Sequence, residues 1–233
     1  VLFRSVDTWL SHRKADEIIG DDTSDMAYLG ADYARPSVVR AVDKTFPEVL
    51  VDKINGHVIK AFFHSTCGGK LSLATEIFSG KRQADAKADP SICRYCQGSP
   101  FYKATPSKVS VKDVRERLGF DIVEIVQRDD AGRPLVVSID KNGAKKEVSG
   151  YQLWLKLGQN FGWGTVPGMD FDIQKNGTSY TLTSRGAGHG IGLCQWGAQG
   201  MSLAPHKKDY RQILGYYFPR ARISNSSNKK VSK

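Results

Sequence analysis

Gly186-Ala187-Gly188-His189-Gly190-Ile191-Gly192 sets a glycine at every second position, with one histidine among them. Glycine reaches backbone conformations with φ > 0 and lets another backbone or a ligand come close, at an entropic cost. A stretch this rich in glycine is committed to a demanding loop. The polar and apolar mixture that follows, Leu193 through Met201, reads as the first turns of a helix. The loop therefore carries His189 to a helix N-terminus, where free N–H groups favour anions and polar ligands. His189 has two readings there: an imidazole that ties down the loop through backbone hydrogen bonds, or a direct part of the chemistry. A dinucleotide site is not supported, because the third glycine of G-x-G-x-x-G would fall on Ile191 or Leu193. Gly69-Lys70 lacks the following Ser/Thr and the upstream glycine of a phosphate-binding P-loop.

At 233 residues the chain can bury a real core, as one large domain or two small ones. Lys+Arg 34 against Asp+Glu 24 gives a net charge of +10, which favours a polyanionic partner or surface. Nucleic acid is not the expected partner: zinc-finger, RNA-recognition and helix-turn-helix signatures are missing, and the basic residues are scattered. A cell wall rich in carboxylates and phosphates is the other candidate. No apolar run reaches the ~18 residues that would span a membrane. The chain begins with Val1 and shows no signal-peptide pattern, so a fragment or processed form is expected, with membrane attachment only through a missing N-terminal segment.

Asn55-Gly56, Asn142-Gly143 and Asn176-Gly177 each lie between or beside strand-like runs. Asn-Gly supplies the φ > 0 pair of a type I′ turn, so each predicts a hairpin. Helices are predicted from Ser110 to Gly119, from Ser149 to Gly158, from the glycine loop to about Leu203, and from Asp209 to Pro219. Val6 to Ile19 reads as a broken helix. Strands and helices intermix without regular βαβ alternation, which predicts an α+β fold. One domain is expected over residues 1–223, followed by a disordered basic tail at 224–233.

His64-Ser65-Thr66-Cys67 and Cys93-Arg94-Tyr95-Cys96 together give H-x-x-C…C-x-x-C. Four such ligands can surround Zn²⁺ tetrahedrally, so His64, Cys67, Cys93 and Cys96 are the expected ligands of a structural zinc. Gly68-Gly69 would let the backbone turn tightly beside them. Alternatives remain open: a Cys93–Cys96 disulfide, pairing of Cys67 with either, or Cys194 in place of His64 as fourth ligand.

Two stretches carry a resemblance. Ala61-Phe62-Phe63-His64-Ser65-Thr66-Cys67-Gly68-Gly69 and Gly188-His189-Gly190-Ile191-Gly192-Leu193-Cys194-Gln195-Trp196-Gly197-Ala198 resemble the two signatures of the stage II sporulation protein D / amidase-enhancer LytB family. Ala27-Tyr28-Leu29-Gly30, Ser99-Pro100-Phe101-Tyr102 and the segment Tyr210 to Pro219 agree with it. The resemblance implies peptidoglycan as partner and an extracytoplasmic place in the cell envelope. It also implies lytic transglycosylase activity in one branch and stimulation of a cell-wall amidase in another. The family's proposed catalytic glutamate lies in an upstream E-A-L-K-A-Q-A-like helix that this chain does not contain. Glu76 is the nearest substitute, with a plain helix carboxylate as its competing reading. The saccharide-binding residues implied are His64, Ser65, Gly68, Gly69, Gly188, His189, Gly190, Gln195 and Trp196, with Trp196 suited to stacking on a sugar ring.

Overall fold

A computed structural model describes residues 35–83 and 91–225. The expected helix over Val6–Ile19, the Ala27-Tyr28-Leu29-Gly30 stretch and the tail beyond Asn225 lie outside them. The described residues form helices and short sheets in a mixed α+β fold. They fall into two compact units, residues 62–219 and the flanking segments on either side, where the sequence suggested one domain through 223.

In the flanking unit, a helix over Pro36–Thr45 opens with proline in its first turn, where the missing N–H costs nothing. Strand β1 (Glu48–Asp52) follows, and its Val49, Leu50 and Val51 are buried. After β1 the chain reverses at Asn55-Gly56, but without the type I′ pair that the dipeptide predicts, since Asn55 does not take a positive φ. Gly56 has φ +69, and Asp52 N–H donates to His57 O at 2.8 Å. The return arm does not become a strand, though. Only Val58 bridges back, to Val51, while β1 pairs antiparallel along its whole length with Ala221–Asn225. That last strand takes in Ser224 and Asn225, which the sequence reading assigned to the tail.

The larger unit holds the rest. Strands β2 (Phe63–His64) and β9 (Leu193–Cys194) form a short parallel pair. Strands β3 (Thr105–Ser110), β8 (Ser179–Arg185) and β7 (Asp170–Asn176) form one antiparallel sheet, and β4 (Asp121–Arg128), β5 (Pro134–Lys141) and β6 (Ala144–Ser149) another. The β5–β6 hairpin turns on Asn142 and Gly143, with φ +58 and +82, the positive pair its dipeptide predicts. In the β7–β8 hairpin Asn176 is instead the last paired residue, opposite Ser179. The loop is Gly177-Thr178, with the positive φ on Gly177, so glycine occupies the first turn position, the pattern of a type II′ turn.

The helix Val111–Leu118 is capped as its sequence implies: Ser110 Oγ accepts the Asp113 N–H at 2.9 Å and Gly119 closes it with φ +77. Gly150–Phe161 begins after Ser149, whose hydroxyl is buried without a partner among the described residues rather than capping. It also runs past Gly158, because that glycine leaves room for the Trp163 ring; a Cβ there would stand 2.3 Å from it. Both helices and both sheets feed one apolar cluster that includes Val114, Ile122, Leu135, Leu157, Phe171 and Leu182. Asp209 caps Tyr210–Tyr217 in a reciprocal box with Gln212.

Candidate functional site

The β2–β9 pair brings the two signature stretches together. Leu193 N–H donates to Phe62 O at 2.9 Å, Trp196 N–H to Ser65 O at 3.0 Å, and Thr66 and Ala187 exchange both backbone bonds. The alternating glycines make this approach possible. Gly186, Gly188, Gly190 and Gly192 all have φ between +68 and +96. A Cβ on Gly188 would lie 2.8 Å from His64 Cβ, and one on Gly192 would lie 2.2 Å from Phe62 O. Alternation thus encodes a left-handed backbone at every second residue and tight apposition to the other signature.

Inside this junction stand two histidines, with ring centroids 5.6 Å apart. His64 is 4% exposed, and its Nδ1 bonds the Ile191 carbonyl at 3.0 Å. A carbonyl only accepts, so Nδ1 carries the proton. Nε2 is left as a bare acceptor with no partner among the described residues. His189, half-buried, accepts the Ile191 N–H on Nδ1 at 3.1 Å. The N–H and C=O of one residue, Ile191, therefore set both tautomers, and set them oppositely. Burial, then His189 and Arg133, hold His64 well below the usual histidine value. Burial, then the Arg133 charge, bring His189 down to about 4. Both rings are neutral at pH 7 and serve as hydrogen-bonding groups. The backbone bonds expected of a loop-fixing His189 are present.

Arg133 was not legible in the sequence as part of this site. Its side chain is 2% exposed and donates to Cys67 O at 2.8 Å, Lys70 O at 2.9 Å and Ser72 Oγ at 2.8 Å. Ser72 passes a short hydrogen bond to Asp129, which also accepts the Arg133 N–H at 2.7 Å. Gly190 lies flat against the guanidinium; a Cβ there would be 2.2 Å from Cζ.

Four sulfurs meet on the other side of the first signature. Those of Cys67, Cys93, Cys96 and Cys194 all lie within 4.8 Å of one another, and all four residues are buried. This corrects the expected ligand set: Cys194 stands in the fourth place and His64 is turned to Ile191. The reason is the β2–β9 ladder, which sets His64 opposite Cys194 and commits the imidazole to the glycine loop. All four cysteines are free, so neither alternative disulfide is present.

The residues fit a metal. A tetrahedron with arms of about 2.3 Å has edges of about 3.8 Å, and Cys67 Sγ and Cys96 Sγ are 3.5 Å apart. Donors are aimed at the sulfurs: Gly69 N–H at Cys67 Sγ (3.4 Å), and Cys67 N–H and Gly197 N–H at Cys194 Sγ (3.4 and 3.3 Å). Tyr217 Oη lies 3.2 Å from Cys93 Sγ, and burial pushes its phenol up so that it stays a donor. Such bonds stabilise thiolates. Hydrogen bonds from Cys194 and then Cys67 lower Cys93 and Cys96, whereas Cys67 is pushed up by its bonds to Cys194 and Cys93. Gly68 and Gly69 serve this turn, and Gly69 O accepts the Cys93 N–H at 2.9 Å.

The remaining sequence candidates separate. Ser65 and Trp196 are half-buried at the junction, and Gln195 is exposed on the first turn of the helix Gln195–Ser202. Glu76 is buried, accepts the Gln83 N–H at 2.7 Å, and lines a cleft of about 280 Å³ with Lys70, Ser72, Ile92, Asp129 and Asp130. That cleft meets the glycine loop at Ser72, whose N–H donates to Gly190 O at 3.0 Å. None of His64, His189 and Trp196 lines it. A second carboxyl escaped the sequence reading: Asp170, raised by burial against the pull of Arg133 and Arg185. It begins β7 beside Met169, which bonds the glycine loop at Gly188 O.

Fold and site together define an α+β domain in which a cluster of four buried cysteines and a neutral histidine pair share the two signature stretches. No family model matches the chain. It is 31% identical over 204 residues to stage II sporulation protein D of Bacillus subtilis (strain 168), covering 84% of this chain and 54% of that protein. The protein of the same name from Bacillus amyloliquefaciens is 28% identical over 208 residues, 85% of this chain and 55% of its own length. An uncharacterized protein of Brachyspira hyodysenteriae is 29% identical over 208 residues, 86% of this chain and 52% of that protein. These similarities support the assignment of the chain to a stage II sporulation protein D-like family. It spans about half the length of the curated relatives it matches. No helix among the described residues is long and apolar enough to cross a membrane.

Proposed function

We propose that this chain is the saccharide-binding part of a peptidoglycan lytic transglycosylase that works outside the cytoplasm, in the cell envelope. The observation that carries the reading is the convergence of the two signatures on one histidine pair. Neutral imidazoles with fixed tautomers suit hydroxyl and acetamido groups, and the +10 charge suits an anionic wall. In the reaction one acid protonates the glycosidic oxygen between N-acetylmuramic acid and N-acetylglucosamine as the C1–O bond breaks. The resulting carboxylate then takes the proton of the C6 hydroxyl while that oxygen closes on C1. No water is consumed, and the second carboxylate of ordinary glycosidases is unnecessary. The acid belongs to the upstream helix of the family pattern. The thiolate centre holds zinc, whose tetrahedral preference and affinity for thiolate match the donor set, and its role is structural.

The test is digestion of purified, peptide-stripped glycan strands by the full-length protein, with products read by mass spectrometry. Anhydro-muramyl ends are expected; intact strands would overturn the enzymatic reading. A second reading is a non-catalytic, peptidoglycan-binding enhancer of a cell-wall amidase. It is favoured by the engagement of Glu76 with Gln83, in a cleft that excludes the histidines. Intact strands together with faster amidase turnover would select it.

A further inference from the structure

The C-x-x-C turn carries more than its two sulfurs. Tyr95 lies between them, half-buried, with its ring 5.0 Å from that of His206 at 89° and 5.6 Å from that of Tyr216 at 83°. Tyr216 donates to Ile92 O at 2.7 Å and packs edge-on against Tyr217, 5.0 Å away, which bonds Cys93 Sγ. The aromatic row thus runs from the thiolate centre to the surface, where His206 is exposed. Gly200 allows the turn to lie directly on the helix Gln195–Ser202: a Cβ there would be 2.1 Å from Tyr95 O.

His206 is held over Tyr95 by a compact turn. Lys207 N–H donates to Leu203 O and Lys208 N–H to Met201 O, both at 2.9 Å. Lys207 takes φ +46, a left-handed conformation unfavourable for a side-chain-bearing residue. Arg94 and Lys207, next in sequence to Tyr95 and His206, are exposed and Lys208 is half-buried; burial raises the Tyr216 phenol and the Arg94 charge pulls against it.

Rings set edge to face and partly open to water offer an apolar surface with polar tips, the surface that C–H-rich pyranose faces stack on. Arginine at the edge adds a planar fork that fits a carboxylate. The neutral histidine pair is not part of this surface, and none of Tyr95, His206 and Tyr216 lines the cleft at Glu76, which adjoins the row through Ile92. We infer that Tyr95, His206 and Tyr216, flanked by Arg94 and Lys207, form a second glycan-binding surface for a carboxylate-bearing sugar chain, and that the thiolate centre shapes it. This inference rests on the peptidoglycan reading and names a further subsite for the same polymer.

The experiment titrates the metal-loaded protein with peptide-stripped glycan strands, which carry the lactyl carboxylate of muramic acid, and separately with chitotetraose, which has none. Three readouts are taken: calorimetric Kd, the His206 imidazole signal by NMR, and metal content. The His206 signal of the unmutated protein should move saturably with the muramyl strand. His206→Ala and Tyr95→Leu should each weaken binding about tenfold with unchanged metal content. Arg94→Gln should weaken the muramyl strand but not chitotetraose. Binding that leaves the His206 signal still and survives His206→Ala unchanged would overturn this surface while sparing the peptidoglycan reading. Equal affinity for both sugars would overturn the carboxylate assignment. Absence of binding to either sugar would overturn the surface and the peptidoglycan reading together.

Discussion

The backbone of one residue, Ile191, decides what two histidines can do. It accepts from His64 and donates to His189, so each ring is fixed as a neutral tautomer inside a charge field set by Arg133. The pH dependence follows. An unfolded histidine titrates near 6.5, whereas folded His189 titrates at about 4 and His64 well below its usual value. Unfolded chains bind more protons in that interval, so the contribution to stability is full above about pH 6.5 and is lost as pH falls toward about 4. After allowance for the partial exposure of His189, the loss from that residue is roughly 2 kcal/mol. Urea unfolding between these limits measures it; His189→Asn, which keeps an acceptor for the Ile191 N–H, should flatten the dependence. A wild-type curve with no slope there would contradict the geometry. The histidine among glycines was visible in the sequence. Arg133 was not, because burial of one arginine at the end of a turn is decided by segments some 60 residues away.

Elements defined by neighbours in sequence were read well, and those defined by distant partners were not. Ser110, Asp209 and Asn142-Gly143 did locally what their side chains favour. The Asn176-Gly177 hairpin formed one residue out of the expected frame, because Asn176 joined the ladder. β1 found its partner at the far end of the chain, beyond the reach of any local pattern. The glycine loop separates two roles of the same residue. Gly192→Ala must both adopt φ +68 and push on the Phe62 carbonyl, so it should cost about 3 kcal/mol or more and disrupt the β2–β9 pair. Gly143→Ala also needs a positive φ but meets nothing within 4 Å; its cost should be about 1 kcal/mol. Denaturant midpoints of the two variants, compared with wild type, test the distinction.

Over the larger unit, the four-cysteine cluster brings together segments that local structure leaves apart. Cys67 lies 29 positions before Cys96 and 127 before Cys194. H-x-x-C spacing made His64 the natural first choice, and only the long-range ladder promotes Cys194. The ligand set makes a direct prediction. Cys194→Ser should lose the metal and lower the melting temperature, whereas His64→Asn, which keeps a donor for Ile191 O, should retain about one equivalent per chain; metal analysis after desalting reads both. Chelation of the wild type should lower the melting temperature in the same way, since bound metal adds its binding energy to folding. Tyr217→Phe should keep the metal but release it faster to a chelator, because Cys93 then loses its phenolic donor. The sulfurs also impose an order of events on biosynthesis. A chain growing from its N-terminus presents three thiols long before the fourth is made, and a growing or translocating chain must carry them unsealed through the whole stretch from Cys96 to Cys194. In an oxidising compartment that interval exposes them to mispairing, so the supply of metal and of reducing partners at the moment Cys194 emerges would set the yield of correctly closed protein.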